Sequence, residues 1–201
     1  MPEAGDLKIG IVVFDVAEEL DFVGPWEVLT SAAVLGGIEV FTVAERPEVV
    51  RCAKGLRIVP DRTFDEVDAL DVVLVPGGMG TRTELSNPVL LDWLRKVAPG
   101  CAWVTSVCTG AAVLAAAGLL EGRRVTTHWN YIETLREHHP DLEVLKRVRY
   151  VRDGNVVTAA GVSAGIDMAL WLVGQMKGVD AARQIQHYIE YDPAPPYAAD
   201  A

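Results

Sequence analysis

The sequence predicts an α/β domain, an open and largely parallel sheet flanked by helices on both faces. Three observations predict it. Short apolar runs rich in β-branched residues alternate with stretches of helical spacing. Several runs end in glycine turns that lead straight into a helix. Half of the 201 residues are hydrophobic, enough for a single domain with a substantial core.

The elements follow in order. "LKIGIVVFD" reads as a buried strand. In "GPWEVLTSAAVL", Trp26, Leu29, Ala33 and Val34 are expected to share a helix face, with Pro25 in the first turn. "IEVFTVAE" is a second strand, and "VVRCAKGLRIVPD" a small hairpin with Gly55 near its turn. "DVVLVPGG" is a buried strand ending in a glycine turn. "SNPVLLDWLRKVAPG" is a helix capped by Asn87, with Pro88 in its first turn and Gly100 beyond its end. "AWVTSV" is the next strand, and "TGAAVLAAAGLL" the helix after it.

The strand "RRVTTH", a helix around "YIETLRE", and the strands "RVRYVRD" and "NVVTAA" come next. "SAGIDMALWLVGQM" is a long apolar helix capped by Ser163, and "AARQIQHYI" a last helix capped by Asp180. One domain is expected over residues 1–201, with its core over about 8–190. The proline-rich tail "DPAPPYAADA" is expected on the surface or against a partner.

Composition removes several function classes. A net charge of −10 leaves no basic surface for nucleic acid. "MPEAGDLKIG" has no secretory pattern, and apolar runs are interrupted short of membrane-spanning length. Three cysteines at irregular spacing form neither a disulfide framework nor a zinc pattern. A reducing cytoplasm is the expected compartment.

Sites in open α/β sheets form outside the carboxyl ends of the strands. Three loops fall there: "ELDFVGP", "PGGMG" and "SVCTG". Two readings fit Cys108. It is either a small core residue, or a nucleophile whose anion is favoured by unpaired amides at a helix N-terminus. Gly110 beside it permits close approach of other groups. Gly77 and Gly78 form either a plain tight turn or, through the Gly78 amide, part of an anion hole with Cys108 or Thr109.

Asp21 sits between Leu20 and Phe22. It either caps the following helix, or shares one proton with the thiol across a common cleft. Glu18 and Glu19 are expected to face solvent. His128 in "TTHW" is a candidate base or a pocket-lining group. Asp167 needs a partner in its apolar helix, by capping, by binding an arginine or by orienting His128.

Together "LDFVGPWEVL", "VPGGMG", "VTSVCTGAAVLAAAGLLEGRRVTTHW" and "GVSAGID" resemble the ThiJ/PfpI superfamily of class I glutamine amidotransferase-like proteins, and most of all its isonitrile-hydrating members. The resemblance covers nearly the whole chain. It implies a flavodoxin-like sheet, a homodimer and a small-molecule substrate, with no metal or organic cofactor required. It makes Cys108 the nucleophile, Asp21 its acidic partner and Thr109 a neighbour needed for activity, with Gly78 and Gly77 at the substrate pocket.

Members that hydrolyse peptides or glutamine carry His directly after the nucleophile, where this chain has Thr109. A Cys-His triad is therefore not expected. The related readings are a glyoxalase-like or deglycase-like enzyme on reactive carbonyls, and a ligand or redox sensor like the sensing half of AraC-type regulators. No helix-turn-helix region follows "APPYAAD", so a freestanding catalyst is expected. Phe22, Trp26 and Trp129 are expected to line the substituent pocket.

Overall fold

A computed structural model describes residues 6–193. The expectation for the proline-rich tail falls, from residue 194 onward, outside the described residues.

Among the described residues, seven strands make the central sheet. They are β1 (Leu7–Val12), β2 (Ile38–Ala44), β5 (Arg62–Thr63), β6 (Val72–Val75), β7 (Trp103–Val107), β10 (Tyr150–Asp153) and β11 (Val156–Ala159), in the order β10-β11-β7-β6-β1-β2-β5. Every neighbouring pair is parallel except β10 and β11. The inner strands β6 and β11 are buried along their whole length, which explains why their sequences are continuous apolar runs rather than alternating ones. Two small ladders lie outside this sheet. β3 (Val50–Arg51) and β4 (Arg57–Ile58) form the antiparallel hairpin, with Gly55 at φ +97°, while β8 (Arg124–Val125) and β9 (Glu143–Val144) pair in parallel.

The helices are α1 (Glu19–Ala33), α2 (Thr81–Glu84), α3 (Pro88–Val97), α4 (Gly110–Ala116), α5 (Ile132–His138), α6 (Ala164–Lys177) and α7 (Val179–Tyr188). The crossovers β1→β2 and β6→β7 leave the sheet centre in opposite directions. Right-handed connections therefore place α1 and α3 on opposite faces. α1, α6 and α7 pack on one another, and α3 contacts α4. Glycine lets α1 and α6 approach closely. A Cβ on Gly24 would lie 2.9 Å from Ile166, and one on Gly165 would lie 3.0 Å from Pro25.

Several local expectations need correction. α1 begins at Glu19, so Pro25 lies inside the helix and not in its first turn. The proline removes only the N–H that would reach the Asp21 carbonyl, while Phe22, Gly24, Val28 and Leu29 on either side bury the helix. Val34 is the C-cap and is exposed, so it does not share the buried face of Leu29. Ser163 occupies the N-cap position of α6, but its backbone is helical and its side chain makes no capping bond. Gly178, at φ +91°, is the N-cap of α7, and Asp180 lies within the first turn. Asn87 caps α3 as expected, its side chain accepting from Val89 N–H at 3.0 Å.

Candidate active site

Cys108 stands directly after β7 at φ +57°, a left-handed conformation unusual for a residue with a side chain. Strained backbone of this kind persists only where its surroundings over-determine it. Here they do. Cys108 N–H donates to the Ala159 carbonyl at 3.0 Å, and the Cys108 carbonyl accepts from Thr127 Oγ1 at 2.8 Å. Two glycines admit the turn. A Cβ on Gly110 would fall 2.1 Å from the Val75 carbonyl oxygen, and one on Gly77 would fall 2.5 Å from Thr109 N and 2.8 Å from the Cys108 Cβ.

Asp21 comes from the first turn of α1 and is fully buried. Its Oδ2 accepts from Gly77 N–H at 2.8 Å and its Oδ1 from Val162 N–H at 3.1 Å. It also shares a hydrogen bond with the Cys108 thiol. It does not cap a helix, because it lies inside one. Burial raises its pKa to about 6, and the Glu18 charge adds to the rise. The bonds from Gly77, Cys108 and Val162 act in the opposite direction.

Burial pushes the Cys108 thiol up to about 12, and the Asp21 charge beside it adds to that. The Thr109 N–H and hydroxyl favour the anion but do not overcome the burial. Burial and the neighbouring carboxylate thus both work against the thiolate at this turn. Between the two titrations, sulfur and carboxyl together hold one proton.

Thr109 and Thr81 close the third side. Thr109 Oγ1 accepts from Gly78 N–H at 3.1 Å, and Thr81 Oγ1 lies 3.2 Å from Thr109 Oγ1 and 2.8 Å from the Gly78 carbonyl. The Gly78 amide is thus committed to Thr109, not open as an anion hole. Gly78 itself is required here, since it sits at φ +114° and a Cβ would meet Glu18 N at 2.4 Å.

Residues 7–175 match the DJ-1/PfpI family. The chain belongs to that family. It is 43% identical over 192 residues to the isonitrile hydratase of Pseudomonas putida, covering 95% of this chain and 81% of that protein. It is 34% identical to the HTH-type transcriptional regulator CdhR of Pseudomonas aeruginosa, over 68% of this chain and 40% of the regulator. Among solved structures, a ThiJ/PfpI family protein from Pseudomonas syringae superposes with a TM-score of 0.89 at 34% identity, covering 98% of this chain and 80% of that one. The flavodoxin-like expectation agrees with the observed sheet.

The remaining candidates of this DJ-1/PfpI chain fall into place around that centre, or away from it. Glu18 and Glu19 do not simply face solvent. Glu18 pairs with Lys54, and Glu19 accepts from Lys54 N–H at 2.6 Å, fastening the hairpin tip to the start of α1. Burial would raise the Glu19 pKa, but bonds from backbone amides outweigh it and lower the pKa. His128 is half-buried, with Nδ1 2.5 Å from Asn130 Oδ1. Among the described residues no hydrogen bond joins its ring to Cys108 or Asp21, so a Cys-His pair is not formed. His128 instead packs against the turn before Val162, where a Cβ on Gly161 would lie 2.6 Å from its ring.

Asp167 binds Arg149, not His128, with Arg149 Nε 2.6 Å from its Oδ2. Phe22 is buried in the core, Trp26 is partly buried and Trp129 is 78% exposed. Cys52 and Cys101 are buried and free, their pKa values raised by burial to about 11 and about 12. Among the described residues no group of three or more His, Cys, Asp or Glu side chains is set to hold a metal ion, and no helix is long and apolar enough to cross a membrane.

Side-chain chemistry alone missed three contributors. The Val162 amide holds Asp21, Thr81 supports Thr109, and Thr127 holds the Cys108 carbonyl. The only sequence signal was their position, Val162 and Thr127 soon after a strand and Thr81 where α2 begins beyond the glycine turn.

Proposed function

We propose that this protein is an isonitrile hydratase, converting an isonitrile to an N-substituted formamide with Cys108 as nucleophile and Asp21 as acid and base. The observation that carries the reading is the one-proton pair formed by a buried carboxyl and a thiol on a strained turn. An isonitrile carbon accepts both a nucleophile and a proton, and this pair offers both at one point. Similarity to the Pseudomonas putida hydratase over most of both chains supports the same chemistry.

In the first step the thiol proton passes through Asp21 to the isonitrile carbon as the sulfur bonds to that carbon. The product is a thioimidate. Water then adds to the same carbon; one of its protons goes to Asp21, and the other passes from the new hydroxyl to the nitrogen. The C–S bond breaks, the formamide leaves, and the proton on Asp21 returns to sulfur. Thr109 holds the glycine turn against the thiol throughout. The steps as written use the side chains and water alone.

A homodimer is part of the proposal. Leu20 and Val23 of α1 are apolar and partly exposed beside the site, which supports a second copy covering them. Three free cysteines support a reducing cytoplasm.

The test is incubation with cyclohexyl isonitrile and detection of the formamide by mass spectrometry. Cys108→Ser is expected to make none. Conversion of methylglyoxal to lactate through Cys108, with no formamide from any isonitrile, would replace this reading with the glyoxalase-like one. Ligand binding or reversible oxidation without any product would replace it with the sensor reading.

A further inference from the structure

Val162 supplies one of the two amides that hold Asp21, and it does so from an unfavourable conformation. It is β-branched, yet sits at φ +46°. Such a residue relaxes toward negative φ unless its neighbours prevent it. Relaxation rotates the peptide between residues 161 and 162, and with it the N–H that reaches Asp21.

Arg149 spans this turn. Its carbonyl accepts from Ala160 N–H at 2.8 Å, two residues before Val162. Its side chain reaches the other flank. Nη2 lies 3.2 Å from Ser163 Oγ, while Nε and Nη2 lie 2.6 and 2.5 Å from Asp167 Oδ2. Asp167, in the first turn of α6, is held in turn by the Tyr191 hydroxyl on its Oδ1 at 3.1 Å. One residue, directly before β10, therefore fixes both sides of the strained amide. An isolated surface ion pair contributes little. This guanidinium differs in tying the turn and the following helix together.

We propose that Arg149 and Asp167 are positioning residues that keep the Val162 amide aimed at the Asp21 carboxyl. The proposal rests on reading Cys108 and Asp21 as the reacting pair. The charged and titratable groups that act on Asp21 are Cys108 from the turn after β7, Glu18 from the start of α1 and Lys54 from the hairpin. Those acting with Asp167 are Arg149, Tyr150 and Tyr191. The variants below leave the first set in place.

The test is iodoacetamide alkylation of Cys108 across pH, read by mass spectrometry well below each variant's Tm. Arg149→Met and Asp167→Asn are expected to move the lower midpoint of the profile to higher pH, because the carboxylate loses an N–H that favours its ionised form. Formamide formation should fall about tenfold in kcat with little change in KM, as expected for misplacement of a reacting group. The double variant should be no worse than either single one, and Arg149→Lys should lie between Arg149→Met and wild type.

Unchanged midpoints and kcat in variants with lowered Tm would overturn the proposal, leaving a structural ion pair. Independent, multiplying losses in the double variant would overturn it as well. Should Arg149→Met fold poorly, the near-isosteric Asp167→Asn carries the same test. If wild type makes no formamide the hydratase reading falls, while the alkylation midpoint still decides this proposal.

Discussion

The amide nitrogen of Gly77 lies 2.8 Å from Oδ2 of Asp21. The glycine turn after β6 thus serves the acid, not an incoming anion. With the Val162 amide on the other oxygen, it partly offsets the cost of burying the carboxyl and leaves the acid poised near neutral pH.

With Asp21 as the acid and base of the proposed reaction, that poise sets the pH dependence of turnover. Activity should fall as pH drops through about 6, where Asp21 takes a second proton into the pair and can no longer accept the one on sulfur. Asp21→Asn should lose about 10²–10⁴-fold in kcat and lose this acid limb with it. Steady-state rates between pH 4.5 and pH 8.5 check both, and a profile flat across this range would contradict the assignment.

The same shift acts on stability. The folded pKa of Asp21 lies above its ordinary 3.8, so its favourable contribution is complete below 3.8 and is lost as pH rises through about 6. Ionised Asp21 should cost about 3 kcal/mol at pH 8 relative to pH 3.5. An amide in its place does not titrate, so the stability of Asp21→Asn relative to wild type should improve by about that amount over this range. Urea denaturation of both proteins at the two pH values measures it.

Gly77→Ala drives a Cβ to 2.5 Å from Thr109 N, where backbone has to move. We expect a loss of about 3 kcal/mol, with turnover lost through displacement of Cys108. Gly100→Ala meets nothing within 4 Å and should stay within about 0.5 kcal/mol of wild type. Thermal denaturation of the two separates the close approach from a general effect of removing glycine.

Thr109→Val keeps the shape but leaves the Gly78 N–H without its acceptor at 3.1 Å. The expected cost is about 1–3 kcal/mol, together with a marked fall in kcat. Thr109→Ser should retain most of both. Equal behaviour of the valine and serine variants would remove the hydroxyl from the account.

His128→Ala addresses the rival base. A general base in the chemical step contributes about 10²–10⁴-fold. With its ring bound to Asn130 and not to the thiol, His128 should affect kcat far less than that, and the pH profile should keep its shape.

Much of the fold was legible because hydrophobic period and punctuation agree. The apolar runs of β1, β6 and β7 and the Asn87-Pro88 start of α3 are where the sequence puts them. The start of α1 was not, because Pro25 reads locally as a beginning, and only packing against α6 shows a helix continuing through it. Cys108 and Asp21 were legible as candidate side chains at switch-point loops, and Thr109 entered as their neighbour through the family resemblance. Val162 was not, because it acts through its backbone, and an N–H is the same in every residue but proline. The direction of the Gly78 amide was misjudged for a related reason. Thr109 could be seen as a neighbour of the thiol, but not as the acceptor that takes that amide.

Asp21 reaches partners 56 and 141 positions further along the chain. A polypeptide still emerging from the ribosome carries the sulfur long before it carries Val162. The acid cannot be fully seated until the chain has been made as far as Val162. Until then the thiol behaves like any other exposed one, so a stalled or truncated chain is expected to be oxidised or captured indiscriminately, while the finished protein keeps its reactivity in reserve.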